Sequence, residues 1–295
     1  MKKLGGKTDL TYLALTVPAT VLFLIFWFVP LLMGLHYSLT DWNGLSSDFN
    51  YVGLQNYLSV FTQKRTRNAL LFTGKYSLLL VIFVMVIAML LTLGLTYVVS
   101  DKMSTFFRSM FFFPAVLSMI TVSLTWNQIY LRVLPALGEM LGIDALSRSV
   151  LGSPKTAMWG VLFVNVWQGV AQPFVILLAG IQNVPQDQYE AARIDGANSW
   201  HLFTHITIPY MIPTINVAFV MVLKAGINVF DYIQGMTGGG PMQSTESAGI
   251  VIYQMAFFEN KAGFASAFSV ILLLIVAVIS FAQQMVSKKY EVGQL

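Results

Sequence analysis

Cysteine is absent from the 295 residues, which excludes disulfides, thiolate metal sites and cysteine nucleophiles. Charge is nearly as scarce: Asp, Glu, Lys and Arg make up 10% of the chain, against roughly 25% in a soluble domain. With 56% apolar residues and a mean hydropathy of +0.70, the composition is that of an integral membrane protein. Histidine occurs three times, and no metal-like His/Asp/Glu cluster or nucleophile–base pair is visible, so no metal ligand and no catalytic residue is assigned. A G-x-x-x-x-G-K-[ST] phosphate loop is also missing; Gly238, Gly239 and Gly240 before Pro241 read as a tight turn instead. The net charge of +4 comes from dispersed basic residues and points to no nucleic acid.

What the chain has in quantity is charge-free sequence. Runs at 10–35, 76–100, 109–131, 156–186, 206–223 and 262–287 contain no Asp, Glu, Lys or Arg. Crossing about 30 Å of hydrocarbon takes ~20 helical residues, so six spans are expected. The fifth run is short and is expected to continue past Lys224 to about Tyr232, while the fourth includes part of the loop that follows. Six spans leave both termini on one side. Counting Lys and Arg does not say which side, because eight fall on each face and Lys224 lies within a span. The basic start MKKLGGKTDL resembles a signal peptide, but the apolar stretch after it far exceeds 7–15 residues and shows no small-x-small cleavage site, so it is expected to remain as the first span.

Polar residues between and inside these runs carry the functional information. From Glu190 to Pro209 the sequence EAARIDGANSWHLFTHITIP separates two apolar runs. Pro185 and Asp187 suit a first helical turn, Gly196 can stop that helix, and Asn198 or Ser199 can cap a second one. The second is expected to end near Ile208, because the residue before a proline is pushed out of the helical region. Ala191, Ala192, Gly196 and Ala197 would let a partner's surface approach, and Glu190, Arg193 and Asp195 would supply polar contacts. That describes a docking knob; the bland alternative is an interfacial loop with its charges in water. His201 and His205 stand at i and i+4 without the glutamate of a zinc helix, and read as contacts or surface.

In the third run, Ser118, Thr121 and Thr125 share a helical face after Pro114, which interrupts the ladder; such hydroxyls more often bond across helices or to their own backbone than to a ligand. In the fourth, Asn165, Gln168 and Gln172 form an amide stripe beside Trp167, with Pro173 kinking the helix. Amides facing lipid are costly, so the stripe should face another helix or a wet cavity. Amides can bond sugar hydroxyls and an indole can cover an apolar ring face, but interhelical bonding explains the stripe equally well. In the fifth, Lys224, Asn228 and Asp231 at i, i+4 and i+7 would share one face. Pairing or snorkelling is the simple account, and a ligand contact or gate at Lys224 the functional one.

These strings resemble the membrane subunits of binding-protein-dependent ABC importers. EAA, then Gly196, then I-x-I-P is similar to that family's EAA loop, with Ile208 in place of the usual leucine. TDWNG, VGLQNY, FD…TGGGP, YQMAFFENKAGFASA and the spacing of Arg108, Pro114 and Trp126 are similar to its carbohydrate branch, which includes the maltose and glycerol-phosphate permeases. LRVLPALGEML and Lys224 depart from its pattern. The resemblance implies an all-α integral membrane protein of type I importer architecture: six transmembrane helices, a single permease domain over 1–295 with its core at about 76–289, a first transmembrane helix at 10–35 and a cytoplasmic coupling loop at 183–209. It implies ATPase coupling through Glu190, Ala191, Ala192, Arg193, Asp195 and Gly196. The implied partners are a second, homologous permease subunit in a heterodimer, an ATPase dimer holding ATP and Mg, an extracellular or periplasmic solute-binding protein, a carbohydrate substrate and membrane lipid. No cofactor is implied on this chain, and the location implied is the cytoplasmic membrane of a bacterium or archaeon with both termini inside. An ion-coupled secondary sugar transporter would be expected to show mid-membrane ionisable groups or an inverted repeat, and an enzyme acting on lipid-linked sugar a reactive constellation.

Overall fold

The computed structural model describes residues 6–97, 100–144 and 146–287. Lys2, Lys3, Lys288 and Lys289, and the placement of both tails that was read with them, lie outside the described residues. Helices dominate what is described: α1 (Tyr12–Tyr37), α2 (Gln55–Thr62), α3 (Lys64–Tyr97), α4 (Met103–Val116), α5 (Met119–Leu141), α6 (Ala157–Gly169), α7 (Ala171–Gln182), α8 (Gln186–Ile194), α9 (Ser199–Ile227), α10 (Asp231–Met236), α11 (Ala248–Phe257) and α12 (Ala262–Met285). Four of these, α1, α3, α9 and α12, are long and apolar enough to cross a membrane unaided. The pairs α4–α5 and α6–α7 are bent by 90° and 42°, and make the count six if each is one broken span.

Helix α3 begins at Lys64 rather than at 76, because a charge-free run measures hydrocarbon thickness and a helix can extend beyond it into water. Lys64, Arg65, Arg67 and Lys75 therefore lie on a helix and not in a loop. Arg65 makes a two-pronged ion pair with the buried Glu246, Nε to Oε2 at 2.9 Å and Nη2 to Oε1 at 2.7 Å.

The expected stop before Pro209 does not occur. Ile208 is helical (φ −60°, ψ −49°), and α9 runs on through Pro209. A π-turn at Phe203–Thr207 makes this possible, as the Ile208 N–H bonds to the carbonyl five residues back and the wider turn accommodates the ring and missing N–H of Pro209. The same device precedes Pro30 in α1, with Val29 N–H on Leu24, and Pro135 in α5, with Leu134 N–H on Ile129.

Two further breaks bear on the site. Leu117 and Ser118 are extended (ψ 145° and 132°), so the chain turns sharply three residues beyond Pro114, after which Ser118 precedes α5. Thr125 bonds back to the Thr121 carbonyl at 2.8 Å, an intrahelical use of its hydroxyl. At the other break α9 ends at Ile227, and Asn228 (φ −91°, ψ 19°) and Phe230 (φ −135°, ψ −61°) are not helical. Lys224, Asn228 and Asp231 consequently do not share the face of one continuous helix. The span expected to reach Tyr232 stops before α10.

The chain divides into two compact units. In the first, residues 1–63 and 252–271, the turn after α1 is knit by short polar bonds. Asn43 Oδ1 accepts from the N–H groups of Leu45 and Ser46 at 2.9 Å, Asn56 Nδ2 donates to the carbonyls of Ser38 and Thr40, and the rings of Tyr37 and Trp42 stack at 4.0 Å. Asp41 accepts from the backbone N–H and the side chain of Asn50, which hold its carboxyl below the usual carboxylate range. The TDWN and NY strings thus build a loop scaffold.

In the second unit, residues 64–251 and 272–295, α9 packs along α3 and α7, and α10 on α5. Burial from lipid brings little hydrophobic gain, so contacts in spans depend on close packing and on small residues that admit it. At Gly226 on α9 a Cβ would stand 2.8 Å from Ser77 Cα on α3, so only glycine permits this approach. Tyr76, Val84 and Val161 fill one buried cluster, and Phe174, Leu177 and Met211 another.

Candidate functional site

Where α3, α6, α7 and α9 meet, the second unit holds a cavity of about 290 Å³, lined by Asn165, Gly169 and Gln172 on one side and Asn228, Phe230, Asp231 and Tyr232 on the other. The break after α9 forms part of this wall, because leaving the helix at Asn228 brings irregular backbone to a site inside the protein, where such backbone is tolerated.

The amide stripe divides its labour. Gln168 is buried; its Nε2 donates to the carbonyls of Pro114 (3.0 Å) and Leu117 (2.8 Å), and its Oε1 accepts from the Tyr232 hydroxyl at 2.9 Å. It satisfies the Leu117 carbonyl left over at the α4–α5 break and adds a second bond to the Pro114 carbonyl, which also accepts from the Leu117 N–H. Asn165 is also buried, donates to the Tyr76 hydroxyl at 3.0 Å and lines the cavity. Gln172 is exposed in the chain alone and has no hydrogen-bond partner among the described residues. Its position past the bend between α6 and α7 turns it into the open space. Trp167 is half-exposed and meets Trp126 edge-on at 5.9 Å, outside the cavity wall. Lys224 is exposed on α9 and is not among the lining residues, although Met221, Ala225 and Asn228 around it are.

Sequence reasoning did not single out Tyr76 and Tyr232, the phenols that orient the two buried amides, nor Asn216, whose Nδ2 is buried without a hydrogen-bond partner among the described residues. The signal for Asn216 was present: it is the one amide in the apolar run 206–223.

At the other candidate site, α8 starts after Pro185 with Asp187 in its first turn and ends in a left-handed cap. Gly196 has φ +82°; its N–H bonds to the Arg193 carbonyl, and the Ala197 N–H to that of Ala192 at 2.9 Å. This double closure satisfies the last carbonyls and needs the glycine. Asn198 Oδ1 then caps α9 by accepting from the His201 N–H at 2.8 Å. Val184, Tyr189 and Leu202 form a small core under the loop, and the Tyr189 hydroxyl bonds Thr207 at 2.9 Å. Burial pushes the Tyr189 phenol up to about 12; the adjacent Tyr97 phenol adds to this, and the Arg193 charge opposes it.

Glu190, Ala191, Arg193, Asp195 and Gly196 are all exposed, and Ala192 is half-buried. Beside them Ile194 is 86% and Trp200 72% exposed, so an apolar pair flanks the polar knob. His201 and His205 stack at 4.0 Å on α9.

Residues 55–292 match the model of the family described as binding-protein-dependent transport system inner membrane component. The chain is 42% identical over 272 residues to the multiple sugar-binding transport system permease protein MsmF of Streptococcus mutans, covering 92% of this chain and 93% of that one. It is 31% identical over 285 residues to the sn-glycerol-3-phosphate transport system permease protein UgpA of Agrobacterium fabrum, with 95% of each covered. In fold it is similar to a chain of the bacterial alginate ABC transporter solved in complex with an alginate pentasaccharide-bound periplasmic protein, with a TM-score of 0.82 at 23% identity over 96% of each chain. The chain belongs to the family of binding-protein-dependent transport system inner membrane components.

Proposed function

We propose that this chain is a permease subunit of an ATP-driven ABC importer and that it moves a carbohydrate, an oligosaccharide or sugar derivative, by alternating access. The observation that carries the reading is the cavity of about 290 Å³, in which an unpartnered amide, Gln172, faces a wall of broken backbone with Asn228 and Asp231. Amides and a carboxylate bond hydroxyl groups, and Phe230 and Tyr232 offer ring faces to an apolar sugar face. The similarity to the multiple-sugar permease supports the carbohydrate assignment.

In this reading α8 is the coupling helix. Its short, rigidly capped knob with Ala191 and Gly196 on the surface fits a groove on an ATPase subunit, and Glu190, Arg193 and Asp195 supply the polar contacts. A dimer of such subunits would hold ATP and Mg; this chain would bind neither. A second, homologous permease would complete the pore, a solute-binding protein would deliver substrate, and both termini and α8 would face the cytoplasm. Substitution of Gln172 and Asn228 by alanine tests the cavity. Uptake of labelled sugar is expected to fall several-fold with complex yield retained, since each hydrogen bond to an uncharged ligand is worth about 0.5–1.5 kcal/mol. Unchanged uptake would remove the cavity from the transport path.

A further inference from the structure

A second cavity, about 360 Å³, opens beneath α8. Its floor is apolar, made by Leu93 of α3 and Leu202 and Phe203 of α9, and its rim carries Tyr97, Arg193 and Ser199. The Tyr189 and Thr207 hydroxyls in its wall are spent on each other at 2.9 Å. Arg193 is exposed and forms no ion pair among the described residues. As a cation in the last turn of α8 it suits the helix dipole, which accounts for its charge but not for a walled space with an apolar floor. The volume lies in the range of small-molecule sites, roughly 300–1,000 Å³. Tyr97 lies four residues before Asp101 and Lys102, the charges that close the apolar run of α3, so the cavity sits at the edge of the hydrocarbon, where tyrosine is the expected rim residue.

We infer that this cavity binds an anionic phospholipid, with the headgroup phosphate on Arg193, Tyr97 and Ser199 and the start of an acyl chain against Leu93, Leu202 and Phe203. The guanidinium offers paired N–H donors to phosphate oxygens, and the two hydroxyls can donate to the same group. Ser199 lies in the first turn of α9, where the helix dipole also favours negative charge. The ligand would tie the end of α3, α8 and the start of α9 together, so lipid composition would bias the position of α8. The inference gives the Arg193 guanidinium to the headgroup and leaves Glu190 and Asp195 for the ATPase contact proposed above; because its test reads lipid and not uptake, it can fail or succeed apart from the transport reading.

The test is lipid retention by the purified full chain in detergent, read by native mass spectrometry during titration with phosphatidylglycerol or phosphatidylcholine of the same acyl chains. The wild type is expected to prefer phosphatidylglycerol, and Arg193→Gln to lose that preference by about tenfold, equivalent to about 1.4 kcal/mol. Arg193→Lys should keep most of it. Leu93→Trp, which fills the floor and leaves the charge, should lose binding as well, and provides the test if the Gln variant does not fold. Arg108→Gln, outside the cavity, should behave as wild type. Equal retention by Arg193→Gln and wild type would overturn the inference, as would an equal loss in Arg108→Gln. Competition by inorganic phosphate with no preference between the two lipids would overturn the lipid assignment.

Discussion

Gln168 and Gln172 occupy one stripe in the sequence and opposite roles in the structure, so truncating each to alanine should give opposite phenotypes. Removing the Gln168 side chain orphans the Leu117 carbonyl at the α4–α5 break and the Tyr232 hydroxyl, and takes one of two bonds from the Pro114 carbonyl, which keeps the Leu117 N–H. Hydrogen bonds between membrane helices average about 0.6 kcal/mol each, so three set a floor of roughly 2 kcal/mol. Buried orphans without access to water cost about 1–3 kcal/mol apiece, and the true cost of Gln168→Ala lies between these bounds. Gln172→Ala removes no protein bond among the described residues and should change stability by less than about 0.5 kcal/mol. Uptake, in contrast, should fall several-fold. The assay pairs fluorescence-detected size exclusion after a temperature ramp with uptake of labelled sugar by the assembled transporter. Gln168→Ala should lose monodisperse protein at lower temperature; Gln172→Ala should match the wild type on the column and fail in uptake. A fully stable Gln168→Ala together with a fully active Gln172→Ala would refute the division.

Gly226→Leu should separate α9 from α3, because even a Cβ meets Ser77 Cα at 2.8 Å; an overpacking cost of about 1–3 kcal/mol should appear as reduced yield in the same ramp. Glu246→Gln removes the carboxylate that takes two Arg65 N–H groups and is expected to lower stability by less than the about 3–5 kcal/mol of a fully buried pair, because the Arg65 side chain is 25% exposed; replacing both residues by apolar ones of similar volume should be milder still, measured as a double-mutant cycle of thermal stability. Lys224→Met should lower uptake more than complex yield, and Lys224→Arg should restore part of it; wild-type uptake by the Met variant would show the lysine to be a passenger. At Gly196 an added Cβ would meet nothing within 4 Å, but φ +82° strains any L-residue by about 1–2 kcal/mol. Gly196→Trp should therefore insert normally and reduce both ATPase copurification and uptake, and normal values of both would remove the loop from the mechanism.

The knob was legible in the sequence because its signals are local. Proline and Asp187 at the start of α8, Gly196 at its end and Asn198 before the next helix each act within one turn of themselves. Continuation through Pro209 was not legible, since the rule that residues before proline avoid helix has an exception in the π-turn, which leaves no mark in composition. The bend at Leu117 and Ser118 was legible only in part: Pro114 announces an interruption, but neither bend residue is a proline or glycine, and Gln168, which bonds the carbonyls there, is distant in sequence. The same applies to Lys224, Asn228 and Asp231. Their spacing describes one face only on an unbroken helix, and the break at Asn228 that withdraws Asp231 from it is the feature that builds the cavity wall.

The most direct measurement is accumulation of a tritiated oligosaccharide in proteoliposomes that contain this chain with the second permease subunit and the ATPase proposed for it. Accumulation is expected to require ATP and the liganded binding protein and to persist when ionophores collapse every ion gradient. Accumulation without ATP, driven by a proton or sodium gradient, would contradict it.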